Sequence, residues 1–467
     1  MIRRGLVVGA MLLAASEARA QTCVRPTDAA GYAGYRYESP PDRFDTAGVR
    51  VWYARTGTHA VRPATMRPDG VPDDVASVGA ITQDALDRFA ALGFRAPLSD
   101  ADTTCGSNGG DGRLDVYLVR FPAADGTAAA ERCVPGATVR CATFILAEAN
   151  LARHYATAEE GIRTVLPHET FHAIQNAYDA NVDRYWAEGT AQWAAKLLAP
   201  QLKDLELNLP AFFAEEGRSI DLPPGGATAG YLYGAAIWPV FLTRHFDDAI
   251  VREALEAEAV DGASALDSVG AALAARGARL EDAWPMFWRW NASTGARASS
   301  GNGYPDAASY PVLAVKDLGE GVSGITAGST GNVFRVQGPV KVTLTSSVHR
   351  AWMVPLADGA ARLDQAKELP ADVVSGEALV VLTSLTPSKQ DAHYELRADA
   401  IAADPANPGS TGEAPVSLPQ IEATTADDGG CSASGAPTDV DVFALALAAL
   451  VLSRRGASRS KARAART

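Results

Sequence analysis

Cysteine and histidine are both scarce in this sequence, which has five cysteines and seven histidines among 467 residues. No two cysteines have the Cys-x-x-Cys spacing of a structural zinc site, so a cysteine-based metal site is disfavoured. Four of them lie in the first third of the chain, at Cys23, Cys105, Cys133 and Cys141. In an exported protein such a cluster indicates two disulfides, for which three pairings are possible. The short loop with Pro135-Gly136 favours Cys133–Cys141, which would leave Cys23 to pair with Cys105.

The sequence also lacks an excess of positive charge. Its formal net charge is −13, which argues against a nucleic-acid partner because phosphate binding needs a basic face. The N-terminal apolar run from Gly5 to Ala15 is shorter than the ~20 residues of a membrane-spanning helix. Basic residues precede this run and Ala18-Arg19-Ala20 follows it, which predicts a signal peptide over residues 1–20 and therefore export. The alternative is an uncleaved N-terminal anchor.

A second short apolar run, Val442 to Leu452, lies between Gly430-Cys431 and a basic tail that begins at Arg454. Residues 403–430 are rich in proline, glycine, serine, threonine and acidic residues, which predicts a disordered linker. Residues 431–467 resemble the myxobacterial C-terminal sorting domain. The resemblance lies in the order of three parts: small residues with a cysteine, an apolar segment and a basic stop. The resemblance implies a sorting protease as a partner, membrane contact through this segment, and anchoring at the cell surface or outer membrane. A single-pass anchor is the alternative.

Between these ends, the pattern of apolar residues predicts an α+β protein. Val49–Ala54 and Leu114–Phe121 have the composition of strands, and the second is apolar on both faces, as in the centre of a sheet. Pro72 suits the start of a helix that ends before Gly93. The sequence is then mainly helical from Ala156 to Trp290. Short strands are predicted at 142–146, 332–336, 340–346, 378–383 and 393–397. We therefore expect a catalytic domain over 21–305 and a small β-sandwich over 306–402.

An H-E-x-x-H motif, formed by His168, Glu169 and His172, predicts a metal site with a catalytic carboxylate. Residues four apart lie on one face of a helix, so both imidazoles can bind the same ion while Glu169 reaches a water on that ion. Pro167 departs from an ideal helical sequence, and marks either a kink or a helix start near His168. The alternative is that the two histidines only cap or pack locally and bind no metal ion.

A second helix is predicted to begin near Trp186 and to supply Glu188 as the third ligand. Three protein ligands leave the fourth position of a tetrahedral zinc site for water, as catalysis requires. The imidazoles also need acceptors for their outer nitrogens, for which Asn176 and Gln192 are candidates. His59 and His154 are expected to be surface residues without a special role.

H-E-x-x-H followed by a W-x-E-G-x-A element resembles the gluzincins, the zinc peptidases with a glutamate third ligand. The spacing is closer to the secreted hyicolysin-like peptidases and to a set of metallopeptidases from myxobacteria. The resemblance implies a zincin-like fold, Zn²⁺ on His168, His172 and Glu188, and Glu169 as the catalytic base. It also implies a transition-state hydrogen-bond donor from a later helix, for which Tyr233 is our first choice and Tyr231 and His245 remain open. Thermolysin-like enzymes have an acid where Gln192 stands.

The sequence therefore predicts a secreted, surface-anchored zinc peptidase that acts as a monomer on a protein or peptide substrate. Two alternatives belong to other classes. One is an inactive zincin kept as a scaffold, which the intact Glu169 disfavours. The other is a surface adhesion protein that binds through its β-sandwich.

Overall fold

The computed structural model describes residues 24–62, 65–101, 111–121, 124–222, 229–299, 301–385 and 391–401. The predicted signal peptide, the Cys23–Cys105 pairing, the linker and the sorting segment lie outside these residues. Within them, no helix has both the length and the apolar character needed to cross a membrane.

The N-terminal part of the structure is a five-stranded sheet in the order β1-β2-β3-β5-β4. Its elements are β1 (Asp42–Asp45), β2 (Val49–Tyr53), helix α1 (Asp73–Ala91), β3 (Leu114–Val119), β4 (Gly126–Val134) and β5 (Arg140–Glu148). All six residues of β3 are buried, and β3 pairs in parallel with both β2 and β5. The predicted central strand is therefore confirmed. β4 runs antiparallel to β5 and is the last strand of the sheet.

A helical region follows the sheet. It comprises α2 (Ala158–Gln175), α3 (Arg184–Leu198), α4 (Asp204–Phe213), α5 (Ala229–Gly234), α6 (Ile237–His245), α7 (Ile250–Asp261), α8 (Ala265–Ala274) and α9 (Leu280–Ala292). Pro167 lies inside α2. The helix does not start near His168, because Thr157 caps it three turns earlier by accepting a hydrogen bond from the Glu160 backbone N–H.

The remaining strands form two further sheets, which we call the two-sheet region. They are β6 (Lys316–Asp317), β7 (Gly321–Ala327), β8 (Thr330–Gln337), β9 (Val340–Thr345), β10 (His349–Ala357), β11 (Ala360–Ala361), β12 (Lys367–Glu368), β13 (Ala371–Val373), β14 (Glu377–Ser384) and β15 (Asp391–Ala400). One sheet has the order β11-β10-β14-β8-β6 with β12 beside β10, and the other has the order β13-β9-β15-β7. Buried side chains of both sheets, such as Val380 and Val342, share one apolar cluster.

The largest apolar cluster includes residues from both the helical region and the two-sheet region. Trp284 and Trp288 of α9 belong to it together with Val333 and Val381 of the first of these sheets. The Trp284 indole N–H donates to the Thr330 carbonyl at 2.9 Å, and a Cβ at Gly331 would overlap the Trp288 indole. The two-sheet region is therefore packed tightly against α9.

The predicted mixed α+β class is confirmed. The four strands predicted beyond residue 306 are present, three of them within longer strands and the fourth as β9, which ends one residue earlier than predicted; the nine-residue β10 was missed. The strand carries His349, Arg350 and Pro355 among its apolar residues, which obscures the alternation that a strand normally has.

Arg25 forms a buried charge cluster that the sequence did not predict. Its guanidinium contacts the carboxylates of Asp100, Asp115 and Glu131, and the arginine is completely buried. Burial raises the pKa of Asp115 to about 7, against the lowering effect of Arg25. The three carboxylates belong to β3, to β4 and to the segment after α1. The cluster therefore attaches the N-terminal segment that carries Arg25 to the sheet.

The Cys133–Cys141 disulfide is confirmed, and it joins β4 to β5. Replacing both cysteines by serine is expected to lower the free energy of unfolding by about 2–3 kcal/mol, because the unfolded chain regains the entropy of a short loop. Urea unfolding of the variant and the oxidised parent measures this loss. Equal midpoints at equal m-values would show that the bond does not stabilise the fold.

Candidate metal centre

The H-E-x-x-H motif lies in the second half of α2, with α3 packed beside it. The Nε2 atoms of His168 and His172 are 3.1 Å apart. Glu188 Oε2, from α3, lies 3.3 Å from His168 Nε2 and 3.4 Å from His172 Nε2. Among the described residues, these three side chains are the group that could hold a metal ion. The structure therefore brings the three predicted ligands together.

The size of this triangle can be compared with that of a tetrahedral site. Metal–ligand bonds of about 2.0–2.1 Å in tetrahedral geometry separate neighbouring ligand atoms by about 3.3–3.4 Å. The observed separations of 3.1, 3.3 and 3.4 Å match this size. Two imidazole nitrogens and one carboxylate oxygen are also a donor set that zinc accepts, whereas magnesium and calcium prefer oxygen alone. The residues present therefore fit a zinc ion.

The electrostatics of the triangle favour a positive charge at its centre. Burial is the largest single effect on the pKa of His172 and acts to lower it, but Glu188, Glu169 and Gln175 together outweigh burial and raise the pKa to about 9. Burial is likewise the largest single effect on the pKa of Glu188 and acts to raise it, but His172 and His168 together outweigh burial and hold the pKa well below its usual range. Each group is thus stabilised in its charged form by the other. A bound cation would satisfy the same demand.

Gln175 holds His172 and also joins the two helices. Its Nε2 donates to the Ala187 carbonyl at 2.8 Å and to Thr190 Oγ1 at 2.7 Å, both on α3. Its Oε1 therefore faces His172 Nδ1, at 2.7 Å, and accepts the proton there. In the neutral imidazole this tautomer leaves the Nε2 lone pair directed at the triangle, so a metal ion would bind there in place of the second proton.

The prediction that Asn176 supports an imidazole is wrong. Its Nδ2 donates to Thr143 Oγ1 of β5 at 2.9 Å, and Gln175, one position earlier, takes the predicted role. Gln192, the other candidate, donates from its Nε2 to Asp204 Oδ2 at 2.6 Å. Asp204 lies close enough to the site for His168 to lower its pKa, although burial has the larger, raising effect.

Glu169 is buried, with 7% of its surface exposed, and its pKa is raised chiefly by that burial. The Ala128 backbone N–H on β4 donates to its carboxylate. Its second oxygen, Oε2, has no hydrogen-bond partner in the described part of the chain. A Cβ at Gly126 would lie 2.9 Å from Glu169 Cγ, so the glycine lets β4 approach α2 this closely. A free carboxylate oxygen beside three metal-binding atoms is suited to accept a proton from water.

The three candidate hydrogen-bond donors have different surroundings. Tyr233 on α5 lies edge-on to His168, with ring centroids 5.4 Å apart. Burial, followed by the charges of Glu188 and Glu169, raises its pKa, so its hydroxyl stays protonated at neutral pH. Tyr231 packs on Phe212, and His245 stacks on Phe241. Of the three, Tyr233 is the one whose ring contacts a predicted metal ligand.

His154 lies at the surface, as predicted, whereas His59 does not. His154 is exposed and contacts Asp125. His59 is 7% exposed, and its Nδ1 accepts a hydrogen bond from the Arg120 backbone N–H at 3.0 Å. It is therefore a buried structural histidine.

Comparisons with known proteins do not identify this chain. No protein-family model and no curated protein matches it. One solved structure with local similarity is the periplasmic inhibitor of g-type lysozyme, PliG, from Salmonella Typhimurium. The match has 12% identity and a TM-score of 0.12, and covers 17% of this chain and 89% of the inhibitor. A similarity of this size carries no argument about fold or function.

Replacing Gln175 by alanine is expected to weaken zinc affinity by about 10- to 100-fold, because His172 loses the acceptor that orients it. The matched control is Asn176→Ala, which removes an amide from the adjacent position without touching an imidazole. Competition with a fluorescent zinc chelator measures both affinities. Equal effects of the two variants would contradict the role given to Gln175.

Proposed function

We propose that this protein is a zinc-dependent peptidase, with His168, His172 and Glu188 as the metal ligands and Glu169 as the catalytic base. The observation that carries the proposal is the free Oε2 of Glu169 beside the three converging ligand atoms. Glu206 and Glu258 also have a buried carboxylate oxygen without a partner among the described residues, so the missing partner alone does not decide the role. The position of the free Glu169 oxygen beside the metal-binding atoms is what favours a reactive role.

Zinc, when bound, would lower the pKa of a coordinated water and polarise the scissile carbonyl. Glu169 would accept the water's proton on its free oxygen and then pass it to the leaving amine. The Ala128 N–H would hold the other side of that carboxylate during both transfers. Tyr233 would donate a hydrogen bond from its protonated hydroxyl to the oxyanion that develops on the carbonyl.

A peptide substrate is supported by the position of β4. This strand is the last of its sheet, and its Ala128 contacts Glu169 directly. The Ala128 N–H is taken by Glu169, but the other outward-facing backbone groups of an edge strand are those to which an extended peptide can add as a further strand. We therefore propose that protein or peptide segments bind along β4, which would bring a backbone carbonyl to the catalytic groups.

The finer architecture is part of the proposal. The N-terminal sheet with α2 and α3 would be a zincin-like catalytic unit, and the two packed sheets of the two-sheet region would be a β-sandwich. Export by the signal peptide of residues 1–20, anchoring by residues 431–467 and a monomeric state remain proposals based on the sequence alone.

Glu169→Gln is expected to lower kcat by about 100-fold or more while zinc binding is retained, because the amide keeps the size of the side chain but cannot accept the proton. Elemental analysis and hydrolysis of casein by the secreted protein measure both properties. Near-parental hydrolysis by Glu169→Gln would rule out the mechanism.

Glu188→Gln serves as the comparison, because it makes the same chemical change in a ligand. A neutral amide is a poorer zinc ligand, so zinc content should fall together with activity. Casein hydrolysis that persists after zinc is removed with a chelator would refute the zinc-dependent assignment itself.

Tyr233→Phe is expected to reduce kcat by about 10- to 100-fold with little change in KM, because the hydroxyl acts on charge that develops in the transition state. Tyr231→Phe removes a hydroxyl two positions away on the same helix and should leave both constants unchanged. Steady-state kinetics with a fluorogenic peptide distinguish the two. A reversed pattern would assign the donor role to Tyr231.

A further inference from the structure

The segment between α4 and α5 is held by the two-sheet region. We call residues Glu215–Leu222 the docking segment. Its Gly217 N–H donates to the Gly331 carbonyl at 2.8 Å, and its Ile220 N–H donates to the Ser329 carbonyl at 3.0 Å. The docking segment therefore follows the beginning of β8 through backbone hydrogen bonds.

Side chains add to this attachment. Ser219 is buried and accepts a hydrogen bond from the Ser329 N–H at 2.9 Å, while its own hydroxyl donates to Asp221. Glu216 accepts from the Val333 N–H at 3.4 Å and forms an ion pair with Lys316 at 3.1 Å. Buried polar groups that are satisfied in this way fix one arrangement of two segments.

A second set of contacts leads from α9 to α5. Phe212, at the end of α4, stacks on Trp288 of α9 with centroids 6.2 Å apart and contacts Tyr231 of α5 at 5.3 Å. A Cβ at Gly234 would lie 2.7 Å from Phe212 Cβ and from the Asn208 carbonyl oxygen. Helix α5 is thus in close contact with α4, which is itself held by α9.

Helix α5 has six residues, too few to be stable without tertiary contacts. The position of Tyr233 on it must therefore be set by what surrounds it. We propose that the two-sheet region is a scaffold for the catalytic unit and is not a separate binding module. It would position Tyr233 through α4, which contacts α5 and is held by α9 and by the docking segment that follows it. This inference rests on the proposed function where it concerns catalysis.

Gly328→Ala tests the attachment. Gly328 precedes β8 with φ at +78°, and an added Cβ would lie 2.7 Å from Ser219 Cβ. Gly359→Ala is the matched control, because Gly359 has the same φ of +78° in the same region but has nothing within 4 Å of an added Cβ. Both variants carry the strain of a left-handed alanine, and only the first disturbs the docking segment.

Hydrogen exchange measured by mass spectrometry on the full chain reports the result without any activity. We expect the amides of 229–234 to exchange about 10-fold faster in Gly328→Ala than in Gly359→Ala, while the amides of α2 exchange alike in both. With the fluorogenic peptide, Gly328→Ala should lose about 10-fold in kcat, with KM and zinc content equal to those of the control. Should Gly328→Ala not fold, Ser219→Ala removes the acceptor of the Ser329 N–H and is expected to show the same pattern more weakly.

Equal exchange of 229–234 in the Gly328 or Ser219 variant and the control would overturn the scaffold inference, whatever the activity. Absence of peptidase activity in the parent protein would instead overturn the proposed function. The exchange difference would then still establish that the two-sheet region positions α5.

Discussion

The packing of α2 against α3 is the constraint on which the rest of the site depends. It holds two imidazole nitrogens and a carboxylate oxygen within 3.4 Å of one another in a largely buried place. Such a group is stable when a proton or a metal ion supplies positive charge. Gln175 makes the arrangement specific, because one amide group both joins the helices and selects the tautomer of His172. Neither helix could rotate without breaking these contacts.

The sequence predicted the parts of the site that depend on local geometry. His168 and His172 share a face because of helical periodicity alone, and Glu188 lies on the next helix after a short turn. The supporting residue could not be chosen in the same way. Gln175 and Asn176 are adjacent near the end of α2, and tertiary contacts decide between them, since Thr143 of β5 takes up the Asn176 amide.

For the fold, too, the sequence predicted features set by local residue patterns and missed those set by contacts between distant residues. β3 was recognised because apolar residues occupy both of its faces, whereas β4 has three consecutive alanines and few strand-forming residues. The Arg25 cluster was missed because its carboxylates lie 75 to 106 residues away in sequence. The buried His59 was missed for a related reason, since its partner is a backbone amide 61 residues away. Nothing in the local sequence distinguishes such groups from surface charges.

A cluster of two histidines and a glutamate could also be purely structural, held together by shared protons. In that case the neighbouring polar groups should be satisfied, because an unpaired buried carboxylate oxygen destabilises a fold without benefit. Glu169 does not meet this expectation: one oxygen is held by Ala128 and the other is free in the described structure. Gly126 also allows β4 to lie against Glu169, where any larger residue would displace the strand or the carboxylate. Glu206 and Glu258 also have a buried oxygen without a partner among the described residues. It is therefore the combination of the free oxygen, the adjacent metal-binding atoms and the close approach of β4 that favours a proton-transferring role for Glu169 over a structural one.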